Sequence, residues 1–400
     1  MVVNSITKKG YKETKLGLLP EDWEINSIKN ISSITTGGKN TQDKVNGGQY
    51  PFFVRSQTVE RINSFSYDGE AILTAGDGVG TGKVFHYING KFDLHQRVYK
   101  ISDFKEKING YFFFLYFSNN FFNRIMQMTA KSSVDSVRME MIADMLIPIP
   151  SKKEQTLIAN ALSDIDSLII GLEKFLSKKR MIKQGAMQKL LKPKKGWVVK
   201  KLGEVCDLIT KGTTPTSLGR DFQSSGINFI KIESLTSNGK IILEKVAYID
   251  DLTHNLLKRS QLKVGDLLFS IAGALGRVAI VRNEILPANT NQALAIIRMS
   301  NTSILNPKYL FIYLNSQKIQ NHILTVSVQG AQANLSLLNI SDLQIDFPSN
   351  IAEQNEIATI LSEMDGEIEA LQTKLNKYKM VKQGMMQQLL TGKISIYGNK

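Results

Sequence analysis

The sequence of 400 residues holds 50 Lys and Arg against 36 Asp and Glu, a formal net charge of +14. A hydrophobic content of 42% is sufficient for buried cores, which excludes global disorder. No apolar run is long enough to span a bilayer, and the single cysteine, Cys206, excludes disulfide and cysteine-rich zinc scaffolds. Residues 1–15 lack the apolar stretch of a signal peptide, so we expect a cytoplasmic protein. The positive charge moderately favours a polyanionic partner.

The first half of the chain is predicted to be mixed α and β. Apolar runs bounded by Gly and Asp are typical of strands, and they occupy residues 50–54, 70–75, 82–88 and 97–101. An aromatic stretch from Gly110 predicts a helix, and the run LIPIP ending at Pro150 predicts a short strand before the next helix.

A glycine-rich loop, GDGVGTGKV at residues 76–84, superficially resembles a phosphate-binding loop. Asp77 stands where that motif needs Gly, and Val84 stands where it needs Ser or Thr. We therefore interpret the loop as a β-turn between strands, with IAGALGRVAI at residues 271–280 as its counterpart in the second half.

A long heptad helix follows at residues 154–191. Apolar residues alternate spacings of four and three, which predicts a seam against another helix. The seam residues are Ile158, Leu162, Ile165, Ile169, Leu172 and Leu176.

The second half repeats this plan. Strands are predicted at residues 226–232, 266–273, 276–282 and 293–299, an aromatic helix-like stretch begins at Pro307, and the strand-like run QIDFP ends at Pro348. A second heptad helix then covers residues 353–390. Its seam residues are Ile357, Leu361, Met364, Ile368, Leu371 and Leu375.

The two helices are copies of one another. Residues 154–191 and 353–390 align at a constant offset of 199 with 19 of 38 positions identical. A weaker repeat begins at Trp23 and Trp197, while the strands between align poorly. We predict five segments: a globular domain at 1–149, a long helix at 150–195, a second globular domain at 196–347, a second long helix at 348–392 and a tail at 393–400.

The helices are expected to pair with each other, because one chain holds both. Only residues 192–196 separate the first helix from Trp197, which favours antiparallel over parallel pairing. The predicted fold class is α+β: two mixed α/β domains separated by two long helices in an antiparallel coiled coil, with a pseudo-twofold internal repeat.

Half of the charge excess lies on and beyond the first helix. Residues 151–195 carry 11 basic and 4 acidic residues, whereas segments 1–150 and 196–348 have net charges of only +3 and +4. A solvated helix face and contact with phosphate or an acidic partner both explain this run. Its cations are Lys174, Lys178, Lys179, Arg180, Lys183, Lys189, Lys192, Lys194 and Lys195.

Catalytic motifs are missing from the sequence. No Pro-Pro pair of an amino-methyltransferase occurs, the four histidines are scattered without zinc spacing, and Glu13-Thr14-Lys15 has no upstream Pro-Asp to complete a nuclease metal site. We expect no catalytic residue and no metal site in this chain.

The repeated pattern resembles the DNA specificity subunits of type I restriction-modification systems. Each half ends in Pro followed by E-Q-x-x-I-A-x-x-L-S-x-x-D, from Pro150 to Asp166 and from Pro348 to Asp365, then a heptad helix and K-Q-G-x-M-Q-x-L-L. The runs at residues 265–281 and 290–297 and the opening at Trp197 also resemble this family.

The resemblance implies that each half is a target-recognition domain for one block of a split DNA sequence. It implies that the helices set the spacer and dock two modification (methyltransferase) subunits, joined by restriction subunits for translocation and cleavage. S-adenosylmethionine, ATP and Mg would bind those partners, and this chain would bind no cofactor. A coiled-coil scaffold whose globular domains bind a non-DNA partner is the alternative.

Polar residues in loops between strands are the candidates for DNA contact, because side-chain hydrogen bonds at groove edges distinguish bases. For each residue singly, a solvated or turn-capping role is an equal alternative. The candidates are Arg55, Gln57, Lys83, Gln96, Arg97, Lys211, Thr213, Thr214, Lys231, Glu233, Ser234, Arg277, Asn289, Asn291 and Gln292.

Overall fold

The computed structural model of the protein describes residues 10–128, 136–236, 238–299, 302, 304–328 and 334–396. The chain divides into two units, Met1–Glu173 with Thr373–Lys400 and Lys174–Gln372. The division cuts both long helices, so each unit holds one globular domain and one half of each helix.

The first unit is built on a six-stranded sheet of order β4-β9-β7-β8-β5-β6. Adjacent strands in this sheet are antiparallel, except β5 and β8, which are parallel. Separate two-stranded pairs are β1–β2 and β3–β10. The strands are β1 (Tyr11–Thr14), β2 (Gly17–Pro20), β3 (Glu24–Ser27), β4 (Ser33–Thr36), β5 (Tyr50–Phe53), β6 (Glu60–Ile62), β7 (Tyr67–Ala75), β8 (Phe85–Leu94), β9 (Val98–Ser102) and β10 (Leu146–Ile149).

Helices α1 (Ile28–Ile31), α2 (Gly110–Met128), α3 (Met139–Ala143) and α4 (Lys152–Leu190) complete the chain up to the second domain. The predicted aromatic helix is α2. It buries Phe112, Phe113, Phe117 and Phe121, with the last two rings stacked at 4.5 Å. These rings belong to the hydrophobic core, since each is at most 1% exposed.

The second unit has a four-stranded sheet of order β12-β18-β15-β16, a three-stranded sheet β14-β13-β17 and the pair β11–β19. Strands β13 and β17 are parallel, as β5 and β8 are in the first unit. The strands are β11 (Trp197–Lys201), β12 (Leu208–Lys211), β13 (Ile227–Ile230), β14 (Ala247–Ile249), β15 (Leu267–Ser270), β16 (Val278–Ile280), β17 (Ala288–Thr290), β18 (Leu294–Arg298) and β19 (Gln344–Pro348).

The helices of this unit follow the same plan with two differences. Helix α6 has no counterpart among the described helices of the first unit. The helix-like stretch predicted from Pro307 is broken into two helices at Asn315 and Ser316. The helices are α5 (Leu202–Val205), α6 (Asp251–Leu256), α7 (Pro307–Leu314), α8 (Gln317–Val328), α9 (Leu337–Ser341) and α10 (Ile351–Leu389).

A buried glutamine fixes the start of each long helix. The Gln155 side chain donates to the carbonyls of Pro150 and Lys107 at 2.8 and 2.9 Å and accepts from the backbone N–H of Asn109 at 2.8 Å. Three backbone groups that secondary structure leaves unpaired are thereby satisfied.

Gln354 makes the same three contacts in the second unit. It donates to the carbonyls of Pro348 and Ile304 and accepts from the backbone N–H of Asn306, all at 2.8–2.9 Å. The repeated Gln of the sequence motif is therefore a clamp between a domain and its helix.

The helix halves within each unit run antiparallel. In the first unit, Asp166 and Glu173 of α4 form ion pairs of 2.6 Å with Lys382 and Lys379 of α10. Residue numbers in α10 fall as those of their partners in α4 rise, which shows that the two helix segments run antiparallel.

The second unit shows the same pattern, in which Lys179 pairs with Glu367 at 2.6 Å and Lys183 pairs with Asp365. The predicted fold class, α+β with antiparallel long helices, is confirmed.

The heptad seam residues are all withdrawn from solvent. Eight of them are buried: Ile158, Leu162, Ile165, Ile169, Leu176, Ile357, Leu361 and Leu375. Four are half-buried: Leu172, Met364, Ile368 and Leu371.

Some of the cations on and beyond the first long helix form contacts within the protein. Besides the pairs of Lys179 and Lys183, Arg180 donates to Gln372 at 3.0 Å and Lys194 lies 3.5 Å from Glu353. These four cations contact the second helix. The other five are exposed: Lys174, Lys178, Lys189, Lys192 and Lys195.

Candidate nucleic-acid interface in each domain

The loops of the first domain converge at one end of its sheet. Strands β4, β5 and β7 end there, and β9 begins there. The backbone N–H of Gly76 bonds the carbonyl of Arg97 at 2.9 Å, and that of His95 bonds the carbonyl of Phe53 at 2.9 Å. Because these bonds tie separate loops together, polar residues distant in sequence form one surface.

Gly37 allows the end of β4 to approach the end of β8. A Cβ at this position would lie 2.0 Å from the carbonyl oxygen of Leu94, so only Gly fits. Gly212 has the same role in the second domain, where a Cβ would lie 1.9 Å from the carbonyl oxygen of Thr290.

Three of the predicted residues in the first domain lie together, and two of them are joined by one carboxylate. Arg55 donates to Oδ1 of Asp77 at 2.8 Å, and Arg97 donates to Oδ2 of the same carboxylate. Beside them, Gln96 donates to Oδ1 of Asn40 at 2.7 Å. Arg55, Gln96 and Arg97 are all exposed.

Burial and neighbouring charges shift the pKa values of Asp77 and His95. Burial alone would raise the pKa of Asp77, but hydrogen bonds from Arg55 and Arg97 outweigh it and lower the pKa. Burial, together with the charges of both arginines, lowers the pKa of His95. Its Nδ1 accepts the backbone N–H of Arg97 at 3.0 Å, so a neutral His95 holds the turn that presents Arg97.

The two other predicted residues of this domain are also exposed. The Gln57 side chain donates a hydrogen bond to the carbonyl of Phe85 at 3.5 Å. Lys83 lies with its Nζ 5.7 Å from the ring centre of Phe122. It lies within the glycine-rich loop, which joins β7 to β8 as predicted.

In the second domain, Thr213, Thr214 and Gln292 are brought together. The backbone N–H of Thr213 bonds the carbonyl of Thr290 at 3.2 Å, and its hydroxyl accepts from Arg259 at 3.0 Å. The Thr214 hydroxyl donates to Oε1 of Gln292.

Gln96 and Gln292 occupy equivalent positions. Gln96 links the turn before β9 to the loop after β4, and Gln292 links the turn before β18 to the loop after β12. Lys211 is exposed at the end of β12, beside that loop.

Four further predicted residues lie on neighbouring loops. The Nζ of Lys231 is 4.0 Å from the ring centre of Phe222, and Glu233 is exposed. Arg277 donates to the carbonyl of Leu235 at 2.6 Å. The Asn291 side chain accepts from the backbone N–H of Ala293 at 3.2 Å, which shapes the turn beside Gln292.

Two predicted residues do not fit a role in DNA contact. Ser234 and Asn289 are fully buried, and their side chains are used internally. The Ser234 hydroxyl accepts from the backbone of Lys231 and donates to the carbonyl of Lys245 at 2.9 Å. Asn289 donates to the carbonyl of Leu257 and contacts His254. Both support loops and present no group to a ligand.

Sequence reasoning missed Asn40, Asp77 and Arg259 at this interface. Asp77 is a charged residue between two glycines directly after a buried strand, which was a usable signal. Asn40 and Arg259 carry no comparable signal, because their partners are 56 and 46 residues away.

No group of three His, Cys, Asp or Glu side chains that could hold a metal ion occurs in the part of the chain that the structure describes. Among the described helices, none is long and apolar enough to cross a membrane. The arrangement in each domain is a platform of exposed or half-buried hydrogen-bonding and cationic side chains.

Two recognition-type domains on antiparallel helices define a class of DNA-specificity proteins, and the comparisons agree with this. The family described as "Type I restriction modification DNA specificity domain" matches residues 20–183 and again residues 194–379. The chain belongs to this family and contains two copies of its domain.

Individual relatives cover nearly the whole chain. The type I restriction enzyme EcoBI specificity subunit of Escherichia coli is 25% identical, across 94% of this chain and 86% of its own. The MjaVIII specificity subunit of Methanocaldococcus jannaschii is 25% identical, across 99% and 98%. The crystal structure of a type I restriction-modification S subunit from M. genitalium has a similar fold, with a TM-score of 0.63, 14% identity and coverage of 92% and 96%.

Proposed function

We propose that this chain is the DNA specificity subunit of a type I restriction-modification complex, in which each domain recognises one block of a split duplex sequence. The observation that carries the proposal is the shared loop platform. In both domains, exposed or half-buried polar side chains from separate loops meet at the same end of an equivalent sheet, while the side chains themselves differ. A common scaffold with different surface groups is what recognition of two different sequences requires.

The distribution of charge supports affinity shared with other subunits. The recognition segments carry net charges of only +3 and +4, and phosphate contacts by Lys and Arg supply most of the affinity of isolated DNA-binding domains. We therefore propose that the assembled complex binds DNA more tightly than the lone chain.

The long helices are proposed to separate the recognition domains and to dock two modification (methyltransferase) subunits, with restriction subunits joining them. In this proposal the chain itself is not catalytic and acts in the cytoplasm. S-adenosylmethionine, ATP and Mg are proposed to bind the partner subunits.

Methylation-site sequencing of a host carrying the complete system tests the proposal. The expected result is one methylated motif with two specified blocks separated by an unspecified spacer. Substituting Gln292 by Ala should alter one block, and substituting Gln96 by Ala should alter the other. A continuous motif, or a motif unaffected by both substitutions, would contradict the proposal.

Salt dependence of binding separates this proposal from a coiled-coil scaffold with a non-DNA partner. If several phosphates are contacted, duplex affinity of the complex falls steeply as salt rises. Binding that is insensitive to salt, or no difference between cognate and scrambled duplexes, would favour the scaffold.

A further inference from the structure

A carboxylate held between two arginines distinguishes the first domain. Asp77 accepts from Nη1 of Arg55 at 2.8 Å and from Nη1 of Arg97. The carboxylate is 18% exposed, whereas the arginine side chains are 41% and 60% exposed. Within the described residues, neither guanidinium has another hydrogen-bond acceptor.

The backbone around this group is present in both domains. The N–H of Gly76 bonds the carbonyl of Arg97, and the N–H of Val137 bonds the carbonyl of Gly76, at 2.9 and 2.7 Å. In the second domain, the N–H of Ile271 donates to the carbonyl of Ala293, and the N–H of Leu335 donates to the carbonyl of Ile271, at 2.9 and 2.8 Å. The two loop frameworks are therefore equivalent residue by residue.

The side chains at these positions are not equivalent. By that correspondence Arg97 is replaced by Ala293 and Asp77 by Ala272. Arg55 is replaced by Ile232, because Phe53 pairs with Leu94 as Ile230 pairs with Thr290. Since the second domain forms the same framework without any of the three charges, the fold does not require them.

We propose that Arg55 and Arg97 read guanine in the DNA block bound by the first domain, with Asp77 as the positioning residue for both guanidinium groups. This inference rests on the proposed function of the chain. Arg donates two parallel hydrogen bonds to O6 and N7 of guanine, the commonest specific contact in the major groove. Such a bidentate contact needs a guanidinium whose plane is fixed.

A phosphate-binding role for the arginines fits the structure less well. Asp77 neutralises one of the two positive charges, which weakens attraction to the DNA backbone. It leaves the planar donor edges available, which favours recognition by hydrogen-bond geometry. Asp77 thus reduces the net positive charge of the group and fixes the orientation of both guanidinium groups.

The test uses the complete complex and three variants, Arg55→Lys, Arg97→Lys and Asp77→Asn, with methylated motifs determined by sequencing. Lys keeps the positive charge but loses the planar fork, and Asn keeps the shape of Asp but loses its charge. Arg61→Lys is the matched control, because its guanidinium donates to Gly48 and Gln49 before β5 and lies outside the group.

The expected result is a loss of about tenfold or more in preference for guanine at a base pair of one block. Asp77→Asn should relax the base pairs that the arginine variants relax, the other block should be unchanged, and the melting temperature should match wild type. Three variants guard against the misfolding of one of them.

The proposal is overturned if the affected block contains no G·C pair in the wild type. It is also overturned if the variants lower methylation uniformly without changing base preference, which a phosphate contact or a structural role would produce. A wild-type motif that is not split would instead contradict the proposed function, so the two failures are distinguishable.

Discussion

The indole nitrogen of Trp23 donates to Oε2 of Glu154 at 3.1 Å across 131 residues of sequence. Trp197 donates to Oε1 of Glu353 at 3.4 Å in the second unit. Trp23 directly precedes β3 and Trp197 begins β11, and each is tied to the first turn of the long helix that follows its domain. The two most widely separated parts of the sequence repeat, the Trp opening and the Glu-Gln motif, therefore meet in one contact.

Glu154→Ala should lower the free energy of unfolding by about 1–3 kcal/mol, because the fully buried Trp23 indole loses its acceptor. Glu154→Gln should cost less, since its amide oxygen still accepts. Burial raises the pKa of Glu154, so a neutral replacement also avoids a disfavoured charge. Urea denaturation of the full chain measures this, with exposed Asp164→Ala on the same helix as control. Equal stability of the Ala and Gln variants would contradict it.

Gln155→Ala should be among the most destabilising single changes in the first unit. The substitution leaves two carbonyls and one N–H without a partner at a fully buried position, and each unpaired group costs about 1–3 kcal/mol. The measurement is the midpoint of thermal unfolding, compared with Gln188→Ala on the exposed face of the same helix. A melting temperature like that of the control would show that water replaces the clamp.

The long helices, the internal repeat and the predicted strands could be recognised from the sequence. Heptad spacing identified Ile158 and its seam partners because a helix packed on one face needs apolar residues at a fixed period. The predicted strands all contain a strand in the structure, since buried strands are apolar and end at Gly or Asp. The repeat itself required only comparison of the chain with itself.

The parts that sequence could not supply depend on long-range pairing. The parallel pairing of β5 with β8 joins segments about forty residues apart and leaves no local pattern. Ser234 and Asn289 look like surface polar residues in sequence, yet their hydrogen bonds to neighbouring loops allow full burial. The role of Asp77 depends on two arginines contributed by different loops.

Ion pairs between the long helices should contribute measurable coupling. Asp166 and Lys382 are 2.6 Å apart and only 26% and 28% exposed. Asp166→Lys should destabilise the first unit by about 1 kcal/mol, and adding Lys382→Asp should restore most of that loss. A double-mutant cycle measures the coupling. The exposed pair Lys29 and Asp144 is the matched control, with a smaller expected value; equal coupling at both sites would contradict this.

Acid sensitivity should arise in part from His86. This side chain is buried, its Nε2 contacts the carbonyl of Ser56 at 3.0 Å, and burial lowers its pKa below 6.5. As the pH falls below 6.5 the unfolded chain takes up a proton first, so stability present above that pH is lost until the folded-state pKa is passed.

The melting temperature of wild type should therefore fall between pH 7.5 and 5.5, and that of His86→Gln should fall less. His322→Gln, at an exposed position, should keep the wild-type slope. Identical slopes for all three proteins would exclude His86 as a source of the pH dependence.

If the long helices separate the recognition domains as proposed, lengthening them should lengthen the unspecified spacer between the two DNA blocks. Inserting seven residues after Glu173 in α4 and seven after Gln372 in α10 preserves the heptad seam in both helices. The insertion adds about 10 Å of helix at 1.5 Å per residue, or about 3 base pairs at 3.4 Å each. Methylated-motif sequencing should therefore show both blocks unchanged and the spacer longer by that amount.

Insertion into α4 alone is the control for this experiment. It displaces one seam relative to the other, so helix pairing should be lost and methylation with it. If the double insertion instead restores methylation at the wild-type spacer, the helices hold the domains without setting their distance. The proposed recognition by the loop platforms would survive that result, because the side chains proposed to contact DNA lie in loops that the insertion does not touch.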